Sequence, residues 1–336
     1  MPAAIDRWCV VRARVKSERR LRLTSSAFDE TIELDLDDLT PAGRWTDYVA
    51  GAASALTRAG IPFTGADLEF DSNVPVGAGV SSSAAIEVAS IHALLALAGH
   101  SADGPQIARW AQQAENDFVG MPCGIMDQFA SANGVAGSAL MLDCRTLQAT
   151  PAALPTNARF LVVNSMAPHA HATGEYAARR ADCEAATSIL RLKSLRDLEE
   201  SDLSDALPQL DNTQARRCRH VVTENGRVRR AAVAMQSNDL ATLGELINAS
   251  HASLRDDMQV SIRMVDQLAE IAQQTPGVYG ARMMGGGFGG CVIALVEATE
   301  AEKAMELVKA QYARIINQTP DAFICNLVEG AGEVIQ

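Results

Sequence analysis

Two hydrophobic rhythms run along this chain, and the change from one to the other divides it. Over residues 8–15, 20–24 and 31–36, apolar and β-branched side chains alternate with polar ones, the period of strands. Residues 44–58 carry apolar positions at helical spacing and stop at Gly60. A strand follows at 66–74, then a helix over 82–97 and another over 106–118. A turn at 120–124 precedes strands at 139–142 and 159–163. From 174 to 274 the pattern is almost wholly helical, with breaks expected near Leu207-Pro208 and at Asn225-Gly226. The chain then reads strand (278–283), glycine loop, strand (291–296), helix (300–315) and strand (321–327). The switch from strand-rich to helix-rich sequence near 155–175 predicts two domains, 1–160 and 161–336, of α+β class.

Two glycine clusters interrupt these rhythms. The first, Pro75-Val76-Gly77-Ala78-Gly79-Val80-Ser81-Ser82-Ser83-Ala84, joins a strand to a helix. Gly77 and Gly79 let the backbone approach a ligand closely, and a helix start offers unpaired N–H groups and a positive dipole end to an anion. It matches neither the Gly-Lys-Ser/Thr nor the G-x-G-x-x-G phosphate motif, so taken alone it reads equally as a glycine turn with serine N-caps. The second cluster, Met283 to Cys291, has five glycines in six residues between two strands. A hairpin needs only one or two, and the excess favours close approach to a ligand.

Composition narrows the class. The 336 residues carry a net charge of −12, which argues against nucleic acid as partner. The basic run Arg216, Arg217, Arg219, Arg227, Arg229 and Arg230 is expected to be a solvated or interdomain helix face. No apolar run reaches the roughly 20 residues of a membrane span, and residues 1–7 lack the apolar core of a signal peptide. Seven cysteines without a Cys-x-x-Cys pair point to a reducing, cytoplasmic setting rather than a disulfide framework or a zinc site. His169 and His171 are too isolated to propose a metal centre.

If the first loop holds phosphate, a Mg²⁺ ion needs hard oxygen ligands, which one hydroxyl and one carboxylate supply alongside nucleotide phosphates. Ser83 at the helix start is a candidate hydroxyl, and Glu115 near an irregular turn a candidate carboxylate, though composition alone favours a surface glutamate. Asp127, among apolar neighbours in Gly124-Ile125-Met126-Asp127-Gln128-Phe129, either caps a helix or does proton chemistry. Tyr176 opens the helical half, where a lone tyrosine more often packs than recognises.

Together these segments resemble the galactokinase branch of the GHMP kinases. Residues 75–84 look like the superfamily's phosphate loop, and Met283 to Cys291 like its C-terminal glycine motif. The branch is marked by Cys123-Gly124-Ile125-Met126-Asp127-Gln128-Phe129, Leu142-Asp143-Cys144-Arg145, and Ser250-His251-Ala252-Ser253-Leu254-Arg255-Asp256-Asp257. The resemblance implies a two-domain GHMP kinase fold, ribosomal-protein-like at the N-terminus and ferredoxin-like at the C-terminus, with ATP and sugar in the cleft between. It implies γ-phosphoryl transfer from ATP to the C1 hydroxyl of galactose. Asp127 would be the base, Ser83 and Glu115 the Mg²⁺ ligands, and Gly77, Ala78, Gly79, Val80, Ser81, Ser82 and Ser83 the ATP loop. Gly124, Asp127 and Tyr176 would contact sugar, and Trp45 would lie near adenine. A monomer is expected.

Two departures stand out. The family's N-terminal signature, Gly-Arg-Val-Asn-Leu-Ile-Gly-Glu-His-Thr-Asp-Tyr, has no counterpart here, so roughly the first 45 family residues are expected to be missing. With them would go a transition-state arginine, worth on the order of 10³ in rate by analogy with arginine fingers, and a strand, leaving a sheet edge near 7–16. The family's usual threonine is replaced by Met284. Three functions therefore stand: a galactokinase, a catalytically impaired nucleotide-binding sensor, or a kinase for another small sugar.

Overall fold

The computed structural model describes residues 1–167 and 172–333, so His169 and His171 lie outside the described residues. The chain forms two compact units. One comprises residues 1–76 and 81–151 with the segment from Leu327 onward; the other comprises residues 77–80 and 152–326.

In the first unit, β1 (Cys9–Lys16), β2 (Arg20–Ser25), β3 (Glu30–Asp35) and β4 (Gly65–Ser72) build a sheet in the order β1-β4-β2-β3. The β2–β4 pair is parallel and the other two are antiparallel. β1 forms an edge, with Val15 exposed on it. Alternation sends Leu21, Leu23 and Leu68 inward, where α1 (Thr46–Arg58) and α2 (Ser82–Leu97) cover them with Val49, Leu56, Val88, Ile91 and Leu94. α1 is rich in Ala and Gly, so it packs closely: a Cβ on Gly51 would stand 3.0 Å from the Ala114 Cβ. α3 (Gly104–Gln113) starts at the side-chain cap of Asp103 and packs with α4 (Met126–Asn133) through Ala108, Ile125 and Phe129. β5 (Ser138–Asp143) and β6 (Gln148–Ala153) make a two-stranded sheet.

The second unit has an antiparallel sheet in the order β10-β7-β9-β8, from β7 (Ala158–Asn164), β8 (Val278–Met283), β9 (Cys291–Glu297) and β10 (Ala322–Cys325). α9 (Arg263–Gln273) and α10 (Ala301–Ile316) pack on it through Val265, Leu268, Val308 and Tyr312. The buried Tyr312 hydroxyl donates to the Ser165 carbonyl at 2.9 Å. The helical half contains α5 (Ala172–Ile189), the single turn α6 (Leu203–Ala206), α7 (Asn212–Gln236) and α8 (Leu240–Ser253).

Three expectations are corrected here. No break occurs at Asn225-Gly226: α7 runs 25 residues through it, started by a capping box of Asp211 and Gln214. Gly226 lies directly under the Glu200 carboxylate, which Arg230 holds at 3.0 Å, so its missing Cβ serves packing. The helix expected over 106–118 stops being α-helical at Gln113, and Ala114–Val119 form a π turn. The arginine run is solvated at Arg219, Arg229 and Arg230, as expected, but not at Arg217. Arg217 is 2% exposed, Arg219 pairs with Asp257, Arg227 with Glu224, and Arg229 and Arg230 with Glu199 and Glu200.

Candidate active site

The first glycine loop and the start of α2 have the backbone that their composition predicts. Gly77 and Gly79 take φ of +72° and +74°. Ser81 follows at φ +62°, a left-handed conformation that costs a non-glycine residue about 1 kcal/mol or more. Ser81 stands at the N-cap of α2 but makes no capping hydrogen bond, and no acidic residue occupies the first turn. Its hydroxyl instead donates to Asp127 Oδ2 at 2.6 Å. The serine-cap alternative for this residue is therefore excluded. The N-terminus of α2 keeps its dipole and amides for an anion.

Asp127 sits in the first turn of α4, and its neighbour Gln128 points about 100° around that helix. Gln128 is 1% exposed, and its Nε2 donates to Glu115 Oε2 at 2.6 Å and to Glu87 Oε2 at 3.3 Å. The π turn after α3 turns Glu115 inward, where the Ser83 hydroxyl hydrogen-bonds its carboxylate. π turns of this kind recur at functional sites because they re-aim one side chain within a helix. Cys123 lies 3.6 Å from both Glu115 Oε2 and Gln128 Nε2, and Asn116 fixes the Cys123 backbone through its N–H at 2.7 Å. Ser81, Ser83, Glu115 and Asp127, distant in sequence, thus converge in one unit. Gly124 opens the same turn and has no atom within 4 Å of where a Cβ would project.

Burial and then the Glu115 charge push the Glu87 carboxyl up to about 10. Burial raises Glu115 too, but hydrogen bonds from Ser83, Cys123 and Gln128 oppose it. The proton of this pair therefore resides on Glu87, the more deeply buried of the two. Burial first, and Glu115 second, push the Cys123 thiol to about 12, so it is no nucleophile at neutral pH. All seven cysteines are free.

The second unit brings its two glycine segments together. Cys291 Sγ lies 2.9 Å from the Ala78 carbonyl, and a Cβ on Gly285 would stand 3.4 Å from the Gly79 carbonyl. Gly287, at φ +91°, passes so near the Val260 carbonyl that any Cβ would collide with it. That carbonyl accepts the Phe288 N–H at 2.7 Å. Tyr176, on α5, reaches within 4.0 Å of the Cβ direction of Gly286. Met284 follows β8 and donates its N–H to the Cys291 carbonyl at 3.0 Å.

Trp45 precedes α1, stacked on Phe28 at 5.7 Å and edge-on to Phe70 at 5.5 Å, with its indole N–H on Glu30. Phe70 and Glu30 also line an open groove of about 360 Å³ with Arg12, Thr24 and Asp71. Sequence reasoning missed Glu87 and Gln128. Glu87 reads as one acid in an apolar helix, and only that isolation was available as a signal.

The donor set fits a magnesium–nucleotide complex. Ser83 and Glu115 offer one hydroxyl and one carboxylate in contact, both hard oxygen donors. Among the described residues no group of three or more His, Cys, Asp or Glu side chains could hold a metal unaided. No described helix is long and apolar enough to cross a membrane.

Family models agree with this construction. Residues 47–135 match the GHMP kinases N terminal domain and residues 231–314 match GHMP kinases C terminal. The fold is that of a GHMP kinase. The crystal structure of Lactococcus lactis galactokinase complexed with galactose superposes with a TM-score of 0.94 at 31% identity, covering 99% of this chain and 88% of that one. A mevalonate kinase shares the fold at TM-score 0.65 and 18% identity, covering 97% of this chain and 91% of the other. The galactokinase of Chloroflexus aggregans is 41% identical over 98% of this chain and 86% of its own length. That of Pasteurella multocida is 38% identical over 98% and 88%. The chain belongs to the galactokinase family.

Proposed function

We propose that this protein transfers the γ-phosphoryl group of ATP to the C1 hydroxyl of galactose, giving galactose 1-phosphate. The observation that carries the assignment is the convergence of Ser81, Ser83, Glu115 and Asp127 beside a glycine loop at a helix start, in a chain of this family. Asp127 is the base that takes the C1 hydroxyl proton. Its carboxylate is oriented by the Ser81 hydroxyl at 2.6 Å, which occupies Oδ2 and steers the accepting lone pairs. Gly77, Ala78, Gly79 and Val80, with Ser81, Ser82 and Ser83 continuing the chain, hold the phosphates through backbone N–H groups and the α2 dipole. Ser83 and Glu115 hold Mg²⁺, which when bound neutralises charge on the phosphates. Gly124 and Tyr176 contact sugar, and Trp45 lies near adenine. Catalysis on this account is positioning plus charge stabilisation. The protein acts in the cytoplasm as a monomer.

The test is ³¹P NMR of the products formed from ATP, Mg²⁺ and a panel of hexoses. A new sugar 1-phosphate resonance with galactose, and none with glucose or mannose, is the expected result. A sugar phosphate formed from another hexose instead, or ATP binding without any sugar phosphate, refutes it and favours the other-sugar kinase or the sensor respectively.

A further inference from the structure

We infer that Gln128 is a positioning residue for the metal site: its buried carboxamide fixes the Glu115 carboxylate in the orientation that receives the cation. The inference rests on the functional reading above and concerns a residue to which that reading gives no role.

Three observations carry it. First, Gln128 Nε2 reaches Glu115 Oε2 at 2.6 Å, a short charge-assisted bond, and lies 3.3 Å from Glu87 Oε2. One amide nitrogen thereby contacts both carboxyl groups and lies closer to the ionised one, Glu115. Second, Gln128 is 1% exposed and its Oε1 has no hydrogen-bond partner. A buried amide oxygen left unpaired costs about 1–3 kcal/mol. The opposite amide orientation would turn that oxygen toward Glu115 and Glu87, so the nitrogen is held inward by the acids. Third, Gln128 is joined to Asp127 in the first turn of α4, and Glu115 accepts from Ser83 near the start of α2. The same short helix therefore aims the base from one side chain and the metal carboxylate from the next.

A ligand carboxylate that is free to rotate loses part of its metal affinity, and removal of an outer partner of this type typically costs 10–100-fold. The corresponding variants are Gln128→Met, which keeps the length and removes both donors, and Gln128→Glu, which keeps the shape and adds charge. Mn²⁺ stands in for Mg²⁺ as an EPR probe, titrated into the full chain with a non-hydrolysable ATP analogue. The expected result is Mn²⁺ affinity at least 10-fold weaker in Gln128→Met, with metal-free nucleotide affinity and the KM for galactose unchanged. Gln128→Glu should raise the Mg²⁺ concentration needed for half-maximal turnover. The double variant Glu87→Met/Gln128→Met replaces the buried acid and amide by an apolar pair. It guards against a folding defect and should show the same weakened Mn²⁺ binding at an unchanged melting temperature. Wild-type Mn²⁺ affinity in any folded variant overturns the inference. If the wild-type chain shows no nucleotide-dependent Mn²⁺ binding, the assignment of Ser83 and Glu115 fails as well.

Discussion

Replacing Arg217 by Met should destabilise the second unit more than any other single change on α7. The guanidinium is 2% exposed and makes three bonds, to Asp182 Oδ2 at 3.0 Å, the Asp257 carbonyl at 2.5 Å and Gln259 Oε1 at 3.2 Å. Removing one partner of a buried ion pair costs about 3–5 kcal/mol. Asp182 is 29% exposed and recovers some water, which places the loss near the lower end, about 3 kcal/mol. For a unit of this size that lowers Tm by roughly 6–12 °C, at about 2–4 °C per kcal/mol. The loss should also reach the glycine loop. Asp257 and Gln259 lead directly to Val260, whose carbonyl holds the Phe288 N–H, and Arg179 braces the Met258 carbonyl at 3.1 Å. Arg217→Lys keeps the charge without the planar fork and should fall between wild type and Met. Urea unfolding followed by far-UV circular dichroism, with the KM for ATP measured in parallel, checks both parts. A loss under about 1 kcal/mol, or full stability in the Lys variant, would refute the reasoning.

Three further outcomes follow from single contacts. In the fold Glu87 carries its proton from about pH 4.5 up to about 10, whereas in the unfolded chain it is lost near 4.5. The folded state binds more protons across this window, so stability should fall as pH rises, by up to about 1.4 kcal/mol per unit from this group. Glu87→Gln should flatten that slope between pH 5 and 8, and parallel urea curves for the two proteins would disprove the protonation. Ser81→Ala loses the bond to Asp127 and should lower kcat about 10-fold, while Ser81→Gly, equally slow, should be the more stable of the two by relief of the left-handed φ; calorimetry and steady-state kinetics separate them. Gly287→Ala forces a Cβ into the Val260 carbonyl and should weaken ATP binding at least 10-fold by calorimetric titration, an unchanged affinity arguing that the second glycine loop is remote from nucleotide.

The order of elements was largely written in the hydrophobic period, because strands and helices that bury one face must repeat at 2 or 3.6. Two kinds of feature escaped it. β6 carries Gln148-Ala149-Thr150-Pro151-Ala152-Ala153, with little β-branched sequence and a proline, so only its pairing with β5 makes it a strand. Asn225-Gly226 looked like a helix break because glycine is costly in a helix, yet tertiary packing under Glu200 outweighs about 1 kcal/mol of propensity. Burial of Arg217 within the arginine run was not legible because its acidic partner, Asp182, lies 35 residues away on α5. Within the candidate site, Ser83, Glu115 and Asp127 could be nominated by type and setting, but their convergence could not. It depends on the π turn at Ala114–Val119 and on the close seat of Gly51 against Ala114. Gln128 and Glu87 stayed hidden because a buried amide between two acids is a relation among three segments, invisible in any one of them.

The central claim is that Asp127 takes the proton from the sugar hydroxyl, and Asp127→Asn tests it most directly. Asparagine keeps the size of the side chain and can still accept the Ser81 hydroxyl bond, but it cannot accept the sugar proton. With ATP, Mg²⁺ and galactose, the wild-type chain should form galactose 1-phosphate. The variant should be slower by at least about 100-fold, with ATP affinity and melting temperature unchanged. Turnover in Asp127→Asn within a few-fold of wild type would contradict the account.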